Sequence, residues 1–472
     1  MKSEGEVRGD LAFILSRNAV HVNYEDLPQE VISATKNAVL DTLGVMIAAT
    51  GAVQACKHVA DFVKDMGGRE ESTIINLGGK VPAPMAAFAN GALAHALDYD
   101  DIKWETGARI HPSSTVIPAA FSIAEHKQRI NGRKFLTAIA LGRDLIIRMA
   151  RAVGGQANWF TWQLTTVLGT FAAAMTSCKL LGLDENQMVD ALGIALSQAA
   201  GTMELRFASG SDLGGMYASF PSKGGVLSSL MAQRGIRGLG TCLEGKAGLF
   251  NSYFGGKYGR DILTAELGKR FDGVDVSFKP WPACALSHVY IDAALQILSE
   301  HRIVPEQVEV VTAFVGKRCQ TLCEPLEARR KPATVLDAKY NIIFPIAIAL
   351  AKGNVLIDDF SAEAVKDEKV LAIAEKVTYQ YEPKFEDTGG VPPGMVEIKL
   401  KMGQTYGKRV DAPFGHPSKP LSHERLIAKF KDCVAHAARP PTSEIIEKVI
   451  ESITRMEEMK DVAEIVELVT PR

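Results

Sequence analysis

At 472 residues the chain is too long for one ordinary hydrophobic core, so two domains are expected. Its 47% hydrophobic and 23% charged content is that of a globular protein, and a net charge of −2 gives no basic surface for nucleic acid or an anionic membrane. Seven scattered cysteines read as reduced thiols, and the absence of GxGxxG and Walker-type loops leaves nucleotide-cofactor chemistry without support. The charged N-terminus has no apolar run of signal-peptide form behind it. The longest apolar stretch, about Leu43–Ala52, is too short to span a bilayer. A cytoplasmic protein is expected.

In chain order, a polar and then amphipathic segment leads to LPQEVISATKNAVLDTLGVMIAATG. Its apolar residues recur at helical period, with Leu27-Pro28 fitting the start and Gly51 the end. A second helix is expected over Ala52–Met66, then a short β-branched segment punctuated by Gly and Pro. RKFLTAIALGRDLIIRMARAVG predicts a helix ended by Gly154-Gly155, and QANWFTWQLT an aromatic loop. VLGTFAAAMTSCKLLGL, ENQMVDALGIALSQAAGTM and FPSKGGVLSSLMAQRG are further helices, so residues 1–268 read as a large helical domain. The texture changes near Phe271. VEVVTAFVGK, KVTYQYEP and VEIKLKMGQTYGKRVDAP read as strands beside two helices, SHVYIDAALQILSEH and AKYNIIFPIAIALAKG. Residues 269–410 are therefore expected to form an α+β insertion, with 411–472 helical and returning to the first domain. The expected class is mainly α with a smaller α+β lid domain.

The chain centres on Asn90–Pro118. A small-residue helix carries His95, and Asp98 shares its face if the helix persists that far. Asp100, Asp101, Lys103, Glu105, Arg109 and His111 follow, and Ser113 and Ser114 suit the N-cap of the next helix. Three aspartates within four residues are costly unless a cation or a shared proton compensates. Three readings stand side by side: a solvated acidic loop, a carboxylate–His metal site, and metal-free acid/base chemistry using His111 and an aspartate. Ala-rich, polar-poor flanks on both sides argue for a charged loop held between buried helices. As a diphosphate-type Mg²⁺ site, DYDDIKWE lacks a second carboxylate-rich motif downstream.

Elsewhere, FKPWPACALSHVYIDAA places Lys279 between a Phe and a Pro-Trp-Pro turn, where apolar surroundings favour a proton acceptor. His288 opens a helix whose N-terminus suits a carboxylate. Cys284 reads as a small core residue and His416 as part of a Pro-rich connector. Arg206 and Lys223 are candidate anion ligands, although either type alone is more often a surface charge. Cys319 and Cys323 have no partner pair at zinc spacing.

These residues, in this order, resemble the MmgE/PrpD family over almost the whole chain. NGALAHALDYDD…HPSSTVIPAA carries its most specific motif, supported by LPQEVISATKNAVLDTLGV, KLLGL, LEGKAGLF, KPWPACALSH and GHPSKPLSHERLIAKF. The resemblance implies a large helical domain with a smaller α+β lid, a homodimer, and metal-free chemistry without a cofactor on small di- or tricarboxylates. The implied step is removal of a proton next to a carboxylate, followed by dehydration, decarboxylation or epimerisation. Asp98, His111 and Lys279 match the family's acid/base residues. Arg109, Arg206, Lys223, Gln163 and His288 are the expected substrate contacts. Ile102, Gln163, Gly214 and Cys284 depart from the family's Thr, His, Lys and His at those places, and a catalytically degenerate member is the reading of another class.

Overall fold

The computed structural model describes residues 9–105, 108–154, 161–207, 210–386 and 390–470. It is mainly helical, with three small sheets among these residues. One apolar core runs from Leu11 to Phe278 and resumes in Leu426–Val469. A second gathers Trp281–Val410. The helix His423–Ala435 carries the chain back onto Gln29–Ala52, and Phe430 fills the space beside Gly44.

The helices Gln29–Ala52 and Leu164–Leu181 each contain an eighteen-residue window apolar enough to cross a membrane, longer than the run read from the sequence. These windows are 78% and 94% buried, so the helices serve as the centre of the first core. Ala and Gly on Leu164–Leu181 and on Ser219–Gln233 let the two pack closely. The first long helix runs through Gly51 to Ala52, and the next spans Gln54–Met66. The extended segment after it is a two-residue antiparallel pair, Ser72–Thr73 with Lys80–Val81. Most of QANWFTWQLT lies outside the described residues.

In the second core the strand Val308–Val315 pairs in parallel with Val377–Tyr381 and antiparallel with Gly394–Leu400, which pairs outward with Thr405–Val410. The run read as one strand region is thus a hairpin, broken at Gly403 with φ 92°. The helices His288–His301 and Ile343–Lys352 cover this sheet.

Candidate active site

The helix Ala83–His95 is almost wholly small and apolar, which lets it lie inside the core. At Gly91 a Cβ would meet the Ala218 carbonyl oxygen at 2.7 Å, so the crossing with Ser219–Gln233 requires glycine. The helix stops at His95, earlier than a shared face with Asp98 demands. Asp98 turns the chain with φ 49°, a left-handed conformation that Asp tolerates better than most residues. That turn spreads the DYDD run so that each aspartate meets different partners.

Lys279 reaches Asp98 from the far side of the domain boundary. Its ammonium donates to the Asp98 carbonyl oxygen at 2.7 Å and to the Asp98 carboxylate. An antiparallel bridge between Ile102 and Ser277 holds the two segments in register. Gly415, with φ 87°, passes so near that a Cβ would lie 2.2 Å from the Phe278 carbonyl oxygen. Lys429, from the returning helix, donates to the carbonyls of both Tyr99 and Lys279 at 2.8 and 2.9 Å and pairs with Asp41 at 2.6 Å.

Asp100 is fully buried. His95 Nδ1 donates to its two oxygens at 2.9 and 3.0 Å, and His111 Nδ1 lies 3.1 Å from Oδ2. Burial alone would favour the neutral acid, yet the two imidazoles hold the Asp100 carboxyl well below the usual range. Burial pushes His111 down to about 4 despite Asp100, so it is neutral at pH 7, with Nδ1 turned to Asp100 and Nε2 left as the basic nitrogen. The His95 and His111 rings meet edge to face at 4.6 Å, and Tyr217 covers His95 at 4.1 Å. Asp101 accepts from Ser113 N–H at 3.1 Å and Ser113 Oγ at 2.6 Å, with Arg143 at 3.5 Å. Ser113 is thus the first helical residue rather than the cap, and Pro112 occupies the cap position.

The structure brings Asp98, His111 and Lys279 together. Gln163 caps the helix Leu164–Leu181, whose Thr165 Oγ1 accepts the His111 N–H at 3.1 Å. His288 is buried against Trp281, bonded to the Ala283 carbonyl at 3.1 Å and pushed down to about 3 by burial and then by Lys279. The imidazole is thus neutral and turned to a backbone carbonyl. Arg109 stacks over Trp104 at 5.4 Å on the hairpin Lys103–Glu105/Ala108–Ile110. Lys223 sits over Phe88 at 5.7 Å, with no ion pair among the described residues. The Arg206 side chain lies outside the described residues. Sequence reasoning named Asp100 without giving it a role of its own and passed over Arg143, Lys429 and Asp41. Asp100 stood in the open at the centre of the acidic run, whereas Lys429 acts across 330 residues of sequence.

His95, Asp98, Asp100 and His111 offer ligand atoms within 4.8 Å of one another, a spacing a divalent cation could use. The Lys279 ammonium already engages Asp98, and the Nδ1 atoms already face Asp100. A metal would compete with that ammonium for Asp98. The same groups form a neutral base anchored by a carboxylate, next to an ammonium anchored by another.

The chain is similar to known proteins over most of its length. The chain is 26% identical to human cis-aconitate decarboxylase, covering 92% of this chain and 89% of that one. It is 25% identical to the cis-aconitate decarboxylase of Aspergillus terreus, covering 93% and 92%, and 22% identical to the 2-methylcitrate dehydratase of Salmonella typhimurium, covering 87% of each. Decarboxylases and dehydratases are both lyases, the class expected from the sequence. The MmgE/PrpD N-terminal domain matches residues 14–260 and the C-terminal domain residues 281–455, and the chain belongs to the MmgE/PrpD family.

Proposed function

We propose that the protein is a lyase without a cofactor or catalytic metal, which removes a proton alpha to a carboxylate of a small di- or tricarboxylate, as in a 2-methylcitrate dehydratase-like elimination. The observation carrying this reading is the juxtaposition of a neutral, Asp100-anchored His111 with the Asp98-bound Lys279 ammonium. His111 Nε2 takes the proton, and the C–H electron pair forms the new double bond as the adjacent C–O bond breaks. Lys279 gives its proton to the departing hydroxyl, which leaves as water. The ammonium also steadies the enolate-like charge that builds up between the two groups.

Decarboxylation is the second reading, favoured by similarity to the decarboxylases at 25–26% identity. There the C–C bond breaks, CO₂ leaves, and Lys279 protonates the carbon left behind. Return of the proton to the opposite face would make the enzyme an epimerase. The resemblance to the family adds a homodimer, which sedimentation tests directly, and the cysteine usage supports a cytoplasmic location.

Incubation of the metal-stripped protein in D₂O with 2-methylcitrate, citrate, cis-aconitate and an aspartate-derived iminodiacid, followed by NMR, tests the reading. Deuterium uptake or product formation that falls about 10²–10⁴-fold in Lys279→Ala supports it. Undiminished turnover in that variant removes Lys279 from the scheme. No exchange with any acid points to the degenerate member.

A further inference from the structure

Among the described residues, Arg143 and Arg148 are matched to Asp101 and Asp144, and the buried lysines Lys279, Lys429 and Lys103 to Asp98, Asp41 and Asp275. Lys339 is the buried lysine without such a match among these residues. It ends the short helix Val335–Lys339 and is 2% exposed. Its Nζ reaches the Ala96 carbonyl only at 3.5 Å and stands 5.8 Å from the Phe360 ring. Among the described residues no carboxylate lies within ion-pair distance of it. An ammonium withdrawn from water without an anion is costly, and its Nζ has donors to spare.

Lys339 lines a cavity of about 510 Å³ between the two cores, a volume suited to a small ligand. Gly51, Ala55, Ala96 and Gly215 contribute little side-chain bulk to its walls, so the space stays open beside the ammonium. The wall also includes Gln54 and Ala55, the first residues of the thirteen-residue helix Gln54–Met66. Val53 at its N-cap supplies no side-chain acceptor for the first-turn amides. Asp212 and Glu363 line the cavity too, but both are exposed and water-screened. Ala96 stands two residues before Asp98, so this cavity adjoins the turn that carries the Lys279 pair.

We propose that Lys339, with the N-terminus of Gln54–Met66, is a carboxylate-binding site that holds one carboxylate of the small di- or tricarboxylate acted on at the neighbouring His111 and Lys279. The choice of carboxylate rests on the proposed function; the anion site rests on the cavity and its unmatched cation. Burial brings Lys339 down to about 8, with Asp98 and Cys56 opposing that shift and Lys279 reinforcing it. Cys56 is pushed up to about 12 by burial and stays neutral. Asp98, Lys279, Asp212 and Glu363 are the charged groups around it, and binding should weaken as pH rises through 8.

The test is calorimetric titration of the full chain with tricarballylate, an unreactive tricarboxylate. The expected result is binding at pH 7 that weakens about tenfold or more in Lys339→Met and recovers in Lys339→Arg. Lys339→Met should melt no lower than the wild type, because an unmatched buried charge has been removed; a purely structural lysine would lower the melting temperature. Equal binding by wild type and Lys339→Met, or no binding by the wild type, overturns the proposal. Lys339-dependent binding without proton exchange would sink the proposed reaction while leaving the anion site standing.

Discussion

Replacing Asp100 by Asn isolates the anchoring carboxylate from its packing. The side chain is fully buried and nearly isosteric, so shape is conserved while charge and hydrogen-bond direction change. A carboxylate accepts from His95 Nδ1 and presents an acceptor oxygen 3.1 Å from His111 Nδ1, whereas an amide can offer an acceptor to one and must present N–H to the other. Facing that donor, an imidazole takes the tautomer with Nδ1 bare and Nε2 protonated, which is the wrong one for a base acting through Nε2. Each hydrogen bond to a charged group is worth about 1.5–3 kcal/mol. Loss of the base at Nε2 corresponds to about 10²–10⁴ in rate, or about 2.7–5.4 kcal/mol of barrier. Removing the anion also takes away the influence that raises His111, so its pKa should fall below about 4. The assay is single-turnover proton exchange or elimination on the substrate found by the D₂O panel, with circular dichroism confirming the fold. A folded Asp100→Asn protein whose rate stays within about tenfold of wild type would refute the assignment of His111 as an Asp100-oriented base.

Other outcomes follow from the same geometry. A chelator should leave turnover within about twofold, because Lys279 holds Asp98 against a metal; loss of activity restored by Mg²⁺ or Zn²⁺ would instead make the four-residue cluster a metal site. His288 is held neutral with a folded pKa of about 3, so the native state resists a proton that the unfolded chain binds below about 6.5. Its stabilising contribution is complete above 6.5 and declines as pH falls toward 3. Between pH 6.5 and 4.5 that amounts to about 2.7 kcal/mol, and the stability gap between wild type and His288→Gln in urea titrations should shift by about that much in favour of the variant. The difference between variants is the readout, because Asp41 and Asp144, each raised to about 6 by burial, shift the wild-type curve the other way. Lys429→Met strands Asp41 in the core and should lower stability by about 3 kcal/mol at pH 7, with a smaller loss below pH 6 where Asp41 is protonated anyway.

The helical domain and the strand-bearing unit were legible because their signals are local: helical period in Val31 to Leu43, β-branched alternation in Val308–Val315. The hairpin was missed as two strands because Lys401–Gln404 interrupts the run without a strong turn pair. The motif His95–His111 pointed to the right place, but the partners did not follow from it. Asp98 leaves the helix through a left-handed turn that spacing arguments do not foresee, and this turn gives Asp98 to Lys279 and Asp100 to the histidines. Lys279 stood out through its Pro-Trp-Pro surroundings. Lys429 and Lys339 did not, because each occupies a stretch whose pattern reads as plain helix. Their burial is a property of the docked domains and leaves no local mark in the sequence.

The acidic run therefore acts as a junction between distant parts of the chain. Arg143 and the two histidines come from the first domain, Lys279 from the border of the second, and Lys429 from the segment that returns after it. Asp98, Asp100 and Asp101 would repel one another in any partly assembled state, since their cations arrive separately. Arg143 lies on the same domain and can neutralise Asp101 early, but Asp98 obtains Lys279 only when the second domain docks. Lys429 then ties the Tyr99 and Lys279 carbonyls together, so closing the second domain and completing the acid/base pair become one event. Weakening this junction at Lys429, which has no part in the proposed proton transfers, should disturb the Lys279 position and lower turnover along with stability. By the same reasoning, Lys339, which among the described residues is the buried lysine without a carboxylate at ion-pair distance, is the cation to which the proposed ligand supplies the anion.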